Sequence, residues 1–238
     1  MIGIVAFIGA LALMAAAIAG LSQRPLGRHF AVTPAAISIP TDSASLERGR
    51  HLGEAIAKCP DCHGPDLGGV AMEMGPLGTF PAPNLTTGQG GIERSDADWV
   101  RAVHHGVASD GRALVFMPSS AYSGLSADDL GAIIAWVKSM PPVDRTLPGR
   151  TLGPIGRVIL ATKPARLVPA LAIDHSAPLP AAVPVSATPE YGRYITVVGG
   201  CTYCHGDNLA GGIKEGPPGT PPSANLRADG PIASWTEA

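Results

Sequence analysis

Cys59-Pro60-Asp61-Cys62-His63 and, far downstream, Cys201-Thr202-Tyr203-Cys204-His205 are the stretches on which the reading of this 238-residue chain turns. All four cysteines lie in these two pairs, so none remains for a disulfide between distant segments. A C-x-x-C pair alone is compatible with half of a zinc site or with a redox dithiol. Zinc would draw both pairs into one four-thiolate centre, whereas here each pair is followed by its own His and set in its own matching flanks.

Those flanks repeat. Glu47-Arg48-Gly49-Arg50-His51 precedes Cys59, and Glu190-Tyr191-Gly192-Arg193-Tyr194 precedes Cys201 at the same distance to within one position. After the motifs, His63-Gly64-Pro65-Asp66-Leu67-Gly68-Gly69 is answered by His205-Gly206-Asp207-Asn208-Leu209-Ala210-Gly211-Gly212. Pro83-Asn84-Leu85 is answered by Ala224-Asn225-Leu226, and the spacing from His63 to Asn84 matches that from His205 to Asn225 to within one position. The chain is therefore an internal duplication.

C-x-x-C-H is the attachment signature of c-type haem: two thiols within one helical turn reach the two vinyl groups of one porphyrin, and the adjacent His points at iron. Two such motifs in matching frames predict two covalently bound haem c groups, held by Cys59 and Cys62 and by Cys201 and Cys204. His63 and His205 are the candidate iron ligands. Each would ligate through one ring nitrogen and needs an acceptor for the other.

Residues 43–142 resemble the class I cytochrome c family throughout. In that family a helix precedes C-x-x-C-H, a Pro-Asn-Leu loop follows, and a Met-Pro step supplies the sixth ligand before a C-terminal helix. The resemblance implies that His63 is the proximal ligand, that the Pro83 carbonyl orients it, and that Met117, followed by Pro118, is the distal ligand; Met72, Met74 and Met140 are the competing methionines. It also implies a mostly α fold of two tandem class I cytochrome c domains preceded by a hydrophobic N-terminal helix. Histidine with methionine favours a higher reduction potential and leaves iron no open site, which suits electron transfer.

The second domain, 190–238, reads as incomplete. No Met follows Met140, and the stretch from His205 to Ala238 is much shorter than that from His63 to Met117. Thr236-Glu237-Ala238 answers Ser95-Asp96-Ala97 at a helix start.

Residues 1–22 carry no charge, and Ile2 to Leu21 has the length needed to span a bilayer. The run exceeds a usual signal-peptide core, so it reads as a transmembrane anchor; Ala17-Ile18-Ala19 before Gly20 supplies the alternative of a cleaved signal and a soluble periplasmic protein. The first basic residues, Arg24 and Arg28, follow the run, the reverse of positive-inside for an exported C-terminus, a rule that long translocated domains override.

Between the repeats, 143–189 reads as a Pro-rich extended connector with at most one short helix near Leu152 to Thr162. Residues 144–189 carry five Arg or Lys against two Asp, and residues 41–143 seven against twelve Asp or Glu, so a basic strap lies beside an acidic domain. Helices are expected over Ser43 to Ala57, Ser95 to His104, and from Ser126 to just before Pro141; no strand is evident. His104 and His105 are expected at the surface of a helix end.

A net charge of -2 gives no basic footprint for nucleic acid. The layout is similar to the anchored cytochrome c subunits of periplasmic alcohol and related dehydrogenases. That resemblance implies an electron carrier rather than an enzyme, on the periplasmic side of a bacterial inner membrane, between a dehydrogenase and an oxidase or another cytochrome. A di-haem peroxidase or a haem-based ligand sensor, each needing an open iron, is the alternative. The acidic first domain predicts a partner with a basic docking face.

Overall fold

The uncharged run at the N-terminus coils into one long helix, α1 (Ile2–Leu26). Its mean hydropathy reaches 2.6, and the apolar window is entirely exposed. Among the residues the computed structural model describes, 2–214 and 219–236, it is the one helix long and apolar enough to cross a membrane. The expected helix start at Thr236-Glu237-Ala238 lies, beyond Thr236, outside the described residues. The chain divides into two compact units, Met1–Ala182 and Val183–Ala238.

In the first unit, α2 (Ser43–His51) begins where Asp42 accepts from the Ser45 amide at 2.9 Å. It runs on as a π-helical turn, Leu52–Ile56, closed by the Ala57 amide on the Leu52 carbonyl at 2.7 Å. α3 is the haem-motif turn Cys59–His63. α4 (Asp96–His105) carries a reciprocal cap between Ser95 and Asp98, followed by α5 (Ser119–Tyr122) and α6 (Ala127–Lys138).

α2 packs directly on α6 because glycine lets the backbones meet. A Cβ on Gly49 would stand 2.0 Å from the Ala132 carbonyl oxygen, and one on Gly53 would stand 2.3 Å from the Trp136 ring. Arg48 clamps the crossing through a two-point pair with buried Asp129, at 2.5 and 2.9 Å. Leu52, Val100, Leu125, Leu130 and Ile134 form the fully buried apolar core.

The structure corrects the expectation of no strands. β1 (Val70–Glu73) and β2 (Gly78–Ala82) pair antiparallel across a 3-10 turn at Gly75–Leu77, and β3 (Thr151–Leu152) joins the far edge of β2. All three strands are short, and β2 contains Pro81. Neither an alternating pattern nor strand propensity could announce them.

The region read as a connector is docked on the first unit over most of its length. Val143 exchanges bonds with Asn84 and Thr86, its carbonyl accepting from Asn84 Nδ2 at 2.6 Å and its amide donating to Thr86 Oγ1 at 2.9 Å. Arg145 pairs with Asp66 at 2.9 Å, basic strap to acidic domain. α7 (Pro154–Thr162) falls where one short helix was expected and packs on α1. Leu160 of α7 and, beyond the helix, Leu167, Val168 and Ala170 bury against Val107 and Ala113, with Leu26 and Phe116 at the margin.

The second unit holds α8 (Pro189–Val198), started by Pro189 in its first turn and by the Thr188 hydroxyl accepting from the Tyr191 amide, and then α9 (Cys201–His205). Tyr194 and Val198 are its buried residues.

Candidate functional site

Lys58, in the left-handed region at φ +53°, swings the chain out of the π-helical turn and into α3. One turn of helix then carries Cys59, Cys62 and His63. Gly64 ends it at φ +81°, its amide donating to the Pro60 carbonyl at 2.9 Å. The Gly69 amide on the His63 carbonyl at 2.7 Å, and the Leu85 amide on the Leu67 carbonyl at 2.8 Å, fasten the following loop.

That loop brings the Pro83 carbonyl to 2.8 Å from His63 Nδ1. A carbonyl only accepts, so the proton sits on Nδ1 and the lone pair of Nε2 is left for a metal. Burial holds the His63 imidazole below its ordinary pKa. The Pro83 bond acts in the opposite direction and Arg94 adds to the lowering. The neutral, ligating form is therefore the favoured one.

His63, Cys59, Cys62, Pro83 and Met117 all line one cavity of about 330 Å³. Phe80, Trp99, Leu125, Ile134 and Val137 supply apolar wall. Burial pushes the Cys59 thiol up to about 12 and raises that of Cys62. A redox dithiol needs the opposite shift.

Met117 follows Phe116, a left-handed residue at φ +72° whose amide donates to the Leu167 carbonyl at 2.7 Å. After it, Ser119 is fully buried and donates to the Ala102 carbonyl at 3.2 Å. Tyr122 Oη reaches the Ala57 carbonyl at 2.6 Å, joining the methionine side of the cavity to the segment that leads into α3. Met72, on β1, lines the same cavity. Met140 borders a separate one beside Lys138.

Arg94 also lines the main cavity, and no sequence motif points to it. Its Nη1 is buried without a hydrogen-bond partner, and burial lowers its pKa while Asp98 opposes the shift. The guanidinium lies over Trp99 at 5.5 Å. A buried donor on a cavity wall suits an anionic group, and haem carries two propionates. The donor set fits haem c: two thiols and an imidazole on one element, a thioether on another, apolar walls and an unanswered guanidinium.

The second motif reproduces the local frame of the first. Gly200 (φ +70°) stands where Lys58 does, Leu209 (φ +58°) matches Leu67 (φ +53°), and Gly206 (φ +76°) matches Gly64. The Gly211 amide meets the His205 carbonyl at 2.9 Å, and the Leu226 amide meets the Leu209 carbonyl at 2.9 Å. His205 Nδ1 lies 2.8 Å from the Ala224 carbonyl. Replacing Pro83 by Ala224 costs nothing there, because the backbone is the acceptor.

His104 and His105 depart from expectation, being 3% and 4% exposed. They end α4 beneath the strap. His175 Nε2 donates to the Ala170 carbonyl at 3.0 Å, which leaves its Nδ1 to accept from His105 Nδ1 at 3.2 Å. His104 Nδ1 is buried with no hydrogen-bond partner.

Residues 44–137 match the family described as cytochrome c oxidase, cbb3-type, subunit III. The chain is 32% identical over 216 residues to a nicotinate dehydrogenase subunit of Pseudomonas putida, a match that covers 86% of this chain and 17% of that protein. It is 29% identical over 195 residues to the cytochrome c subunit of a quinone alcohol dehydrogenase from Gluconacetobacter polyoxogenes, covering 75% of this chain and 38% of that one. Over 105 residues it is 35% identical to the cytochrome c subunit of gluconate 2-dehydrogenase from Pantoea cypripedii, covering 40% of this chain and 23% of the relative. The chain thus spans less than two fifths of each of these relatives.

Proposed function

With residues 44–137 a cytochrome c domain of the cbb3 subunit III family, we propose that the chain carries two covalently bound haem c groups and relays electrons within a dehydrogenase complex at a bacterial inner membrane. The observation that carries this reading is the repeated pair of histidine bonds, His63 to Pro83 and His205 to Ala224, each at 2.8 Å and each in the same loop frame. A redox dithiol would have no need of a tautomer-fixing carbonyl behind each His; a zinc-bound His would use the same bond, and it is the cytochrome c match of residues 44–137 that favours haem iron.

Cys59 and Cys62 hold the first group by thioether bonds, and Cys201 with Cys204 the second. His63 and His205 would present Nε2 to iron, and Met117, lining the same cavity as His63, would supply a further ligand to the first. When bound, the haem supplies iron that accepts and returns one electron. The chain's own residues keep the first site dry through Phe80, Leu125 and Ile134, hold the imidazole neutral, and set Arg94 against negative charge.

The names of the relatives support a dehydrogenase as electron donor; the acceptor in this reading is a further cytochrome or oxidase. α1 serves as the anchor, with the haem domains on the periplasmic side. The acidic first domain meets a partner's basic face, and complex formation should weaken as ionic strength rises.

The test is the full chain made in a host that matures c-type cytochromes. Two haems per chain by pyridine haemochrome assay and intact mass are expected, falling to one in C59A/C62A and to one in C201A/C204A. A single haem would overturn the two-haem reading, and a high-spin reduced spectrum of the first site with peroxide turnover would overturn the relay in favour of a peroxidase or sensor.

A further inference from the structure

A bilayer-spanning helix needs about 20 residues to cross the hydrocarbon core. Counted along α1, this places Leu21 near the boundary and Gln23 and Arg24 among the headgroups. It is there that α1 stops being exposed: Ser22 and Pro25 are its buried residues, and Leu26 joins the apolar cluster containing Leu160 of α7. α7 therefore docks at headgroup level, with Gly156 and Leu160 turned inward.

Its outer face is apolar. Ile155 is 50% exposed and Val158 43%, three positions apart and so neighbours on one side of the helix. Thr162 extends that stripe, and its hydroxyl is satisfied by the Val158 carbonyl at 2.8 Å. The flanks are cationic: Arg157 lies within the helix, Lys163 ends it, and from Arg145 to Ile173 there is no acidic residue. Arg24 and Arg28 add positive charge at the end of α1. Apolar side chains bordered by Arg and Lys are the composition of a helix lying in a membrane interface.

We propose that α7 rests on the bilayer that α1 crosses, with Ile155 and Val158 entering the headgroup and acyl boundary and Arg157 and Lys163 meeting anionic phospholipid. The inference rests on the reading of α1 as an uncleaved anchor. A protein partner is disfavoured because the stripe is a narrow run of little more than two helical turns beside the membrane exit point, whereas a stable protein interface needs about 20–30 residues a side.

The experiment places the photo-crosslinker benzoylphenylalanine, one position at a time, at Ile155, Val158, Leu11 and Ser45 of the full haem-loaded chain. The chain is embedded in vesicles of phosphatidylcholine with phosphatidylglycerol. Lipid adducts are expected at Ile155, Val158 and Leu11 and none at Ser45, with the yield at Ile155 falling at least threefold in R157Q/K163Q and in vesicles of phosphatidylcholine alone. Adducts at Leu11 without lipid adducts at Ile155 and Val158, or with protein adducts in their place, would overturn this inference and leave the anchor standing. No adduct at Leu11 would overturn both. A yield at Ile155 indifferent to lipid charge and to R157Q/K163Q would overturn the recognition of anionic lipid.

Discussion

The Phe116 amide donates to the Leu167 carbonyl at 2.7 Å, so the residue before Met117 is held by a strap outside the cytochrome domain proper. Leu167 is itself buried, in the cluster with Val107 and Val168. Shortening it to Ala removes packing worth about 2–4 kcal/mol and slackens the methionine loop from behind. The expected outcome is a lower unfolding midpoint together with faster binding of cyanide to the ferric protein, read by stopped-flow absorbance.

Two methionines share the cavity, Met117 and Met72, and substitution separates their roles. Met117→Ala should turn the first haem high-spin and lower its reduction potential, since methionine ligation raises it. Met72→Ala should leave the spectrum low-spin. Optical spectra during potentiometric titration distinguish the two.

Arg94 brings a buried cation to the cavity wall. A positive charge there favours the reduced iron, so Arg94→Gln should lower the potential of the first haem. The loss should be about 20–60 mV, the equivalent of about 0.5–1.4 kcal/mol for one electron, and Arg94→Lys should restore most of it.

The histidines under the strap make stability depend on pH. Burial, then His104, His175 and Arg101, hold the His105 pKa down to about 4 from an ordinary 6.5. Between those values the unfolded chain binds the proton and the folded one does not. The contribution is complete above pH 6.5 and is lost as pH falls towards 4. Thermal midpoints should drop across that window, and His105→Asn should flatten the dependence.

Much of the first domain is legible in the sequence because its signals are local. The caps at Ser95 and Ser126 and the two C-x-x-C-H motifs each state their structure within a few residues. The strands escape because Val70–Glu73 and Gly78–Ala82 are stabilised by their pairing and not by their own pattern. His104 and His105 mislead for a related reason: a helix end is exposed unless something distant covers it, and the cover is His175, far along the chain from His105. Arg94 likewise acquires meaning only from the walls around it.

Leu26 is the last residue of α1 and also lines the cavity that holds His63 and Met117. No slack tether separates the proposed anchor from the proposed electron carrier. With α1 retained as the proposed anchor, such a chain would not roam the periplasm as a shuttle. Its encounters would become a search in two dimensions, paced by lateral drift in the lipid sheet, and a redox partner confined to the same sheet would meet it at a height fixed in advance.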